Sequence, residues 1–367
     1  MEWAKWTKPM LNMKVIIFVL LCMTFLLYSC DDETDVKERT YQMGFQNSAP
    51  KFDNIDLFLQ SLNLWTTRAD AAIISIEVPW EELLNGGSAI NHVVNNYKGL
   101  VEYYRSKGLK LWVYVDPQNG LDRTSDAREL VDAGKSIADT DVQNIYRRFV
   151  IVMDSVLSPE HLGLALETNL IRAAASPAIY NGVKQAATLA AADIRSVNAM
   201  VKLSVSVQAE QAWGKFAGTS YQGIAQDFVD FPFMEELGIS SYPYFGFDQP
   251  EDIPHDYYSR LIAGKNIPVF ISEGGWSSQS LTINNRTIVS SPEAQRRYIE
   301  YHEHLLDGVK AIAYFQLVFT DIDVASLPPD VPDNLPYFVY LGMVDKLLEK
   351  KPALDAWDAI FAVPLAK

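Results

Sequence analysis

The chain has 367 residues, enough for one large domain or two smaller ones and for a core that needs no metal or disulfide. Its composition, 49% hydrophobic and 21% charged, is that of a globular protein rather than a disordered or membrane-embedded one. A formal net charge of -15 argues against a nucleic-acid partner, which selects a basic face.

The first stretch reads as an address. Lys5, Lys8 and Lys14 precede an apolar run over 15–27, which is short for a membrane span and has the layout of a secretory signal. Leu27-Tyr28-Ser29-Cys30 resembles a bacterial lipobox, although Tyr28 is bulkier than the usual residue there. The resemblance implies that 1–29 are removed, that Cys30 carries lipid, and that 30–40 form a flexible polar tether. The acidic Asp31-Asp32-Glu33 run is similar to a surface-export signal of some Gram-negative lipoproteins, so an outer-membrane lipoprotein on the cell surface or the periplasmic face is expected. An ordinary signal peptide or signal anchor is the plainer alternative. Cys22 and Cys30 are the only cysteines, so the folded part can hold neither a disulfide framework nor a cysteine metal site.

From Tyr41 on, short apolar runs alternate with long amphipathic ones. The runs at 41–45, 72–78, 109–115, 162–168, 201–207, 237–243, 268–272 and 310–317 are apolar on both faces, as buried parallel strands are. Helical patterns fill the gaps, for example over 92–108, 141–157, 179–197 and 291–308. The last of these opens with a Ser cap and a first-turn Pro and ends at Gly308. Eight strand–helix units in 41–367 predict a single (β/α)8 barrel of the TIM type. No GxGxxG or P-loop run follows the first strand, and no cofactor is called for. No metal site is expected either. His302 and His304 splay apart at i,i+2, and Asp321 and Asp323 have no third ligand spaced with them.

In such a barrel the chemistry sits at the C-terminal ends of the strands. The polar residues there include Gln46, Glu77, Asp116, Glu167, Asn169, Gln208, Glu210, Tyr242, Tyr244, Glu273, Trp276 and Gln316. Two glutamates ending strands 4 and 7 would face one another across the mouth. Glycosidic cleavage with retention uses such a pair about 5–5.5 Å apart, one as nucleophile and one as acid/base. Their surroundings must hold one ionised while the other carries a proton. Nearby aromatic residues can stack on sugar faces, and a tyrosine hydroxyl can steady a carboxylate.

At these residues the chain resembles glycoside hydrolase clan A, and within it the endo-β-1,4-galactanase family, glycoside hydrolase family 53. LGLALETNL is similar to that family's fourth-strand segment, LGISSYPYFGF to its sixth, PVFISEGGWSS to its seventh and, loosely, VYVDPQNG to its third. The resemblance implies Glu167 as acid/base and Glu273 as nucleophile. Tyr242, Tyr244, Trp276, Asp116, Asn169 and Gln316 become candidate contacts to an oligo- or polysaccharide. One position departs from the pattern: most clan members carry Asn before the acid/base glutamate, and here that residue is Leu166. Either Asn169 or Gln208 supplies the missing contact, or the substrate differs, or the barrel binds carbohydrate without cleaving it. A purely structural or adhesive module would need no carboxylate pair.

Overall fold

A computed structural model describes residues 37–366, apart from Asn119, 284–285, 328–330 and 332–333. Cys30 and the whole leader lie outside the described residues. Arg39–Lys367 forms one compact unit. Its first residue is pinned: Arg39 bonds Asp70 at 2.7 Å and pairs through its backbone with the C-terminal segment near Leu365.

Eight parallel strands close into a barrel. They are β1 (Gln42–Gln46), β2 (Ala71–Glu77), β3 (Lys110–Asp116), β4 (His161–Gly163), β5 (Lys202–Gln208), β6 (Glu236–Ser241), β7 (Val269–Gly274) and β10 (Ala311–Gln316). The order around the barrel follows the chain, with β10 closing against β1. Helices lie between successive strands, so the (β/α)8 architecture expected from the alternation is the one observed. The antiparallel pair β8 (Leu281–Ile283) and β9 (Arg286–Ile288) was not anticipated; it sits in the long loop after β7.

The barrel interior holds Ala71, Ile73, Trp112, Tyr114, Leu166, Phe270, Ala313 and Phe315. Tyr114 lies where two strands have given up their side chains. A Cβ on Gly163 would meet its ring at 2.0 Å, and one on Gly238 would meet its hydroxyl at 2.3 Å. The larger core lies between sheet and helices. The 292–306 helix starts as its sequence implies, with Ser291 Oγ accepting from the Ala294 amide at 3.1 Å and Pro292 in the first turn.

Two local departures from regular strand geometry set the site. The first is in β7. Phe270 points into the barrel and Ile271 toward the helices, so strict alternation would turn Ser272 inward and Glu273 outward. The register shifts there: Ile239 of β6 pairs with Ile271, but Ser240 pairs with Glu273. The extra residue re-aims Glu273 to the inside of the mouth. The second departure is in strand 4, which was expected to run through 168. Regular pairing stops at Gly163, and Glu167 adopts a left-handed backbone conformation (φ 50°, ψ 45°) as the residue before the 168–174 helix. That conformation costs a non-glycine residue about 1–2 kcal/mol. It is held by the Glu167 amide donating to Ser206 Oγ at 2.9 Å and the Glu167 carbonyl accepting from the Leu170 amide at 2.8 Å.

Candidate active site

The C-terminal face of the barrel opens into a cleft of about 700 Å3. Both glutamates line it, together with the polar residues Asp116, Gln46, Ser75 and Glu77. Leu166, Leu170, Phe216, Phe245, Leu317 and Phe338 form much of the rest. The wall is completed where Asn334 Nδ2 donates to the Leu121 carbonyl at 2.6 Å, joining the loop after β3 to the loop after β10.

Glu167 is 8% exposed and is gripped on both oxygens. Oε2 accepts from Arg123 Nε at 3.0 Å, and Oε1 accepts from Ser240 Oγ at 2.7 Å. The same guanidinium donates through Nη1 to Asp116 Oδ2 at 2.6 Å, so one cation bridges two buried carboxylates. Burial pushes the Asp116 carboxyl up, and Arg123 pulls it back in part. Arg123 itself is raised, because the attraction of its two partners outweighs the burial that opposes its charge.

Glu273 accepts from Tyr242 Oη at 2.9 Å, as a tyrosine at this place was expected to provide. Burial pushes the Glu273 carboxyl up to about 7, and the charge on Glu167 adds to that; Arg123 and the Tyr242 hydroxyl act against it. Glu77 is raised by burial and is tied to the loop by the Gly120 amide, which donates to it at 2.9 Å.

Of the residues expected at the sugar, Tyr242 and Asp116 do line the cleft. Four do not. Asn169 is buried with both ends of its amide committed to the Gln208 backbone, at 2.8 Å and 2.7 Å. Tyr244 is buried and donates to the Tyr337 carbonyl at 2.8 Å. Trp276 is 1% exposed, packs against Tyr244 and Tyr298, and donates from Nε1 to Ser290. Gln316 is fully buried and donates to Tyr314 Oη. These four build the wall behind the cleft rather than its surface. Gln208 does line the cleft, but its amide caps the 209–212 helix and bonds Glu210. Leu166 packs into the barrel interior and touches the cleft, so its position offers no polar contact. Asp321 and Asp323 are bonded to Lys351 and Lys346, at 2.7 Å and 2.8 Å. Among the described residues no group of His, Cys, Asp and Glu could hold a metal ion.

Sequence reasoning missed Arg123, Ser240 and Phe338. Arg172, the arginine that follows Glu167 in the sequence, pairs instead with Asp227 at 2.8 Å. The signal for Arg123 was present: a single arginine among the acidic residues Asp122 and Asp126, in the loop after the third strand.

No family model and no curated protein matches the sequence. Solved structures do share the barrel. A GH5_18 protein of Bifidobacterium longum subsp. longum, in complex with Manb1-4GlcNAc, is 15% identical with a TM-score of 0.58, over 89% of this chain and 80% of that one. An exo-beta-1,4-mannosidase of Opitutaceae bacterium strain TAV5 is 16% identical with a TM-score of 0.60, over 90% of this chain and 62% of the other. A beta-glucosidase of Thermotoga maritima is 10% identical with a TM-score of 0.58, over 86% and 88%. At such identities the likeness establishes the fold.

Proposed function

We propose that the protein is a retaining glycoside hydrolase acting on a β-linked oligo- or polysaccharide, a galactan-like or other β-glycan, with Glu167 and Glu273 as the catalytic pair. One observation carries the reading: two carboxyls from the ends of strands 4 and 7 line one cleft, close enough that the charge of Glu167 raises Glu273, and they have different partners, a guanidinium and a serine for Glu167 and a tyrosine hydroxyl for Glu273. Such a pair supplies what retention needs, a nucleophile and a proton donor, with water as the only other reactant. The structural neighbours include an exo-beta-1,4-mannosidase and a beta-glucosidase, which supports a β-glycoside as substrate. In the same reading the barrel works at a bacterial outer membrane, held by a lipid on Cys30; the support is the lipobox-like end of the leader.

The test is a panel of β-glycans assayed for new reducing ends with wild type, Glu167→Gln and Glu273→Gln. Losing either carboxyl is expected to cost about 10²–10⁴-fold on sugar leaving groups. Unchanged activity in Glu273→Gln would reject the mechanism.

A second reading has its own support. Leu166 replaces the residue that would hold the sugar 2-hydroxyl, and Glu167 is locked to Arg123. Both features suit a carbohydrate-binding protein on a degenerate hydrolase barrel. Saturable binding of a glycan by the wild type, with no new reducing ends, would select it.

A further inference from the structure

The two carboxyls divide the mouth. Glu167 follows β4 and Glu273 lies at the end of β7, and the strands succeed one another around the barrel in chain order. A line between the pair therefore leaves β5 and β6 on one side and β10, β1, β2 and β3 on the other. The scissile bond of a glycoside must lie on that line, with its sugar to one side and its leaving group to the other. The two sides differ in chemistry. From β1 to β3 the cleft is lined by Gln46, Ser75, Glu77 and Asp116. Gln46 is bonded through Oε1 to Ser75, and Glu77 through Oε1 to the Gly120 amide. Gln46 Nε2 and Glu77 Oε2 have no hydrogen-bond partner among the described residues. A sugar hydroxyl finds both a donor and an acceptor there.

The polar side chains on the β5–β6 side, Gln208 and Tyr242, are committed to Glu210, the Gln211 amide and Glu273. What faces the cleft beside them is a continuous apolar wall. The Phe245 ring lies 5.9 Å from Phe216 and 6.0 Å from Phe338, and Phe338 meets Tyr242 edge-on at 4.9 Å. Leu166 and Leu170 flank Glu167 in the sequence and line the same cleft. Phe216 is 43% exposed, an apolar surface left to solvent until something occupies the cleft. A second sugar could stack on these rings, but its hydroxyls would give up water without gaining partners. A hydrocarbon gives up nothing there and releases water from both surfaces.

We propose that the site takes β-glycosides with an apolar aglycone, the sugar against Gln46 and Glu77 and the aglycone, an alkyl chain or aryl ring, against Leu170, Phe216, Phe245 and Phe338. The proposal rests on the hydrolysis reading above and adds a substrate class to it. The glycosidic C–O bond breaks with its electron pair on the departing oxygen, which leaves as the alcohol with one proton of water. The hydroxyl of that water ends on the anomeric carbon, so no further reactant is needed.

The test begins with wild-type protein and 4-nitrophenyl β-galactoside, β-glucoside and β-mannoside. The sugar that turns over is then supplied as its methyl, butyl and octyl β-glycosides, below micelle-forming concentrations. The three alcohols are alike as leaving groups, so kcat/KM across the series reads the wall rather than the chemistry. It should rise about two- to fourfold for each methylene the wall covers. The octyl glycoside should also outrun the β-1,4-linked disaccharide of the same sugar. Phe216→Ser, at an exposed position, and Leu170→Asn should flatten the rise. The octyl-to-methyl ratio is taken within each variant, so a loss of folded protein lowers both rates and leaves the ratio alone; an unchanged ratio in both variants overturns the placement. A flat series in the wild type, or a disaccharide faster than the octyl glycoside, overturns the apolar subsite and leaves hydrolysis standing. Turnover of no glycoside overturns hydrolysis instead. Titration calorimetry with the octyl and methyl glycosides then decides the subsite, which stands on a Kd about tenfold or more lower for octyl and falls on equal values.

Discussion

Tyr242, Asn169 and Trp276 look alike as strand-end polar or aromatic residues, yet they do different work. The Tyr242 hydroxyl is the neutral donor to Glu273, so Tyr242→Phe should cost activity with little loss of stability. A hydrogen bond to a charged group contributes about 1.5–3 kcal/mol, which corresponds to roughly 10- to 150-fold in kcat/KM. Asn169 serves the backbone. Asn169→Ala leaves the Gln208 amide and carbonyl without their partner, and the expected effect is a loss of about 1–3 kcal/mol for each group left unpaired, read in chemical denaturation, with KM nearly unchanged. A large rise in KM at unchanged stability would return Asn169 to the sugar. The sequence could name which residues end the strands because strand ends are fixed by apolar periodicity. It could not say which of them turn inward. That depends on the bulge at Ser272 and the left-handed turn at Glu167, and neither leaves a periodic trace. Arg123 escaped notice for a related reason: its partners lie seven and forty-four positions away, and only the folded loop brings it between them.

Among the elements, the strands were legible to within a few residues wherever pairing is regular. The exception is the fourth, whose apolar run continues past the point where pairing stops. The helices were legible from their caps, and the 292–306 helix shows a consequence that periodicity could not reveal. His302 on that helix is 1% exposed, and its ring stacks on Tyr314 at 3.6 Å. Neither ring nitrogen has a hydrogen-bond partner among the described residues. Burial pushes its pKa down to about 3, so the folded state holds it neutral. The unfolded chain takes a proton there near pH 6.5, which the fold refuses. The contribution to stability is therefore full above that value and falls as the pH drops from about 6.5 toward 3, by about 1.4 kcal/mol per pH unit at most. Urea denaturation of wild type and His302→Phe between those limits should show a shallower acid slope in the variant; parallel slopes would contradict the assignment. The barrel interior offers a second test. Gly238→Ala places a methyl against Tyr114 Oη and should destabilise the protein by about 1–3 kcal/mol. Tyr114→Phe in the same chain should recover part of that loss, since it removes the atom in conflict.

At the scale of the whole molecule, a closed barrel leaves one mouth where eight strand ends converge, and the long loops after β3, β7 and β10 give that mouth its walls. The strict alternation of strand and helix made this architecture legible; the interior of the cleft was less so, because its apolar side comes from loops whose course no periodicity dictates. The leader adds a prediction of its own. Cys30→Ser should shift the protein from the membrane fraction to the soluble fraction of the expressing bacterium, with its thermal unfolding unchanged, and a variant still in the membrane fraction would argue for a signal anchor. The central claim is that two carboxyls at this mouth cleave a β-glycoside by double displacement. Its most direct test is proton NMR of the first sugar released by the wild type from a 4-nitrophenyl β-glycoside, followed before mutarotation. The account predicts the β-anomer, formed first and then decaying toward equilibrium; initial release of the α-anomer would contradict it.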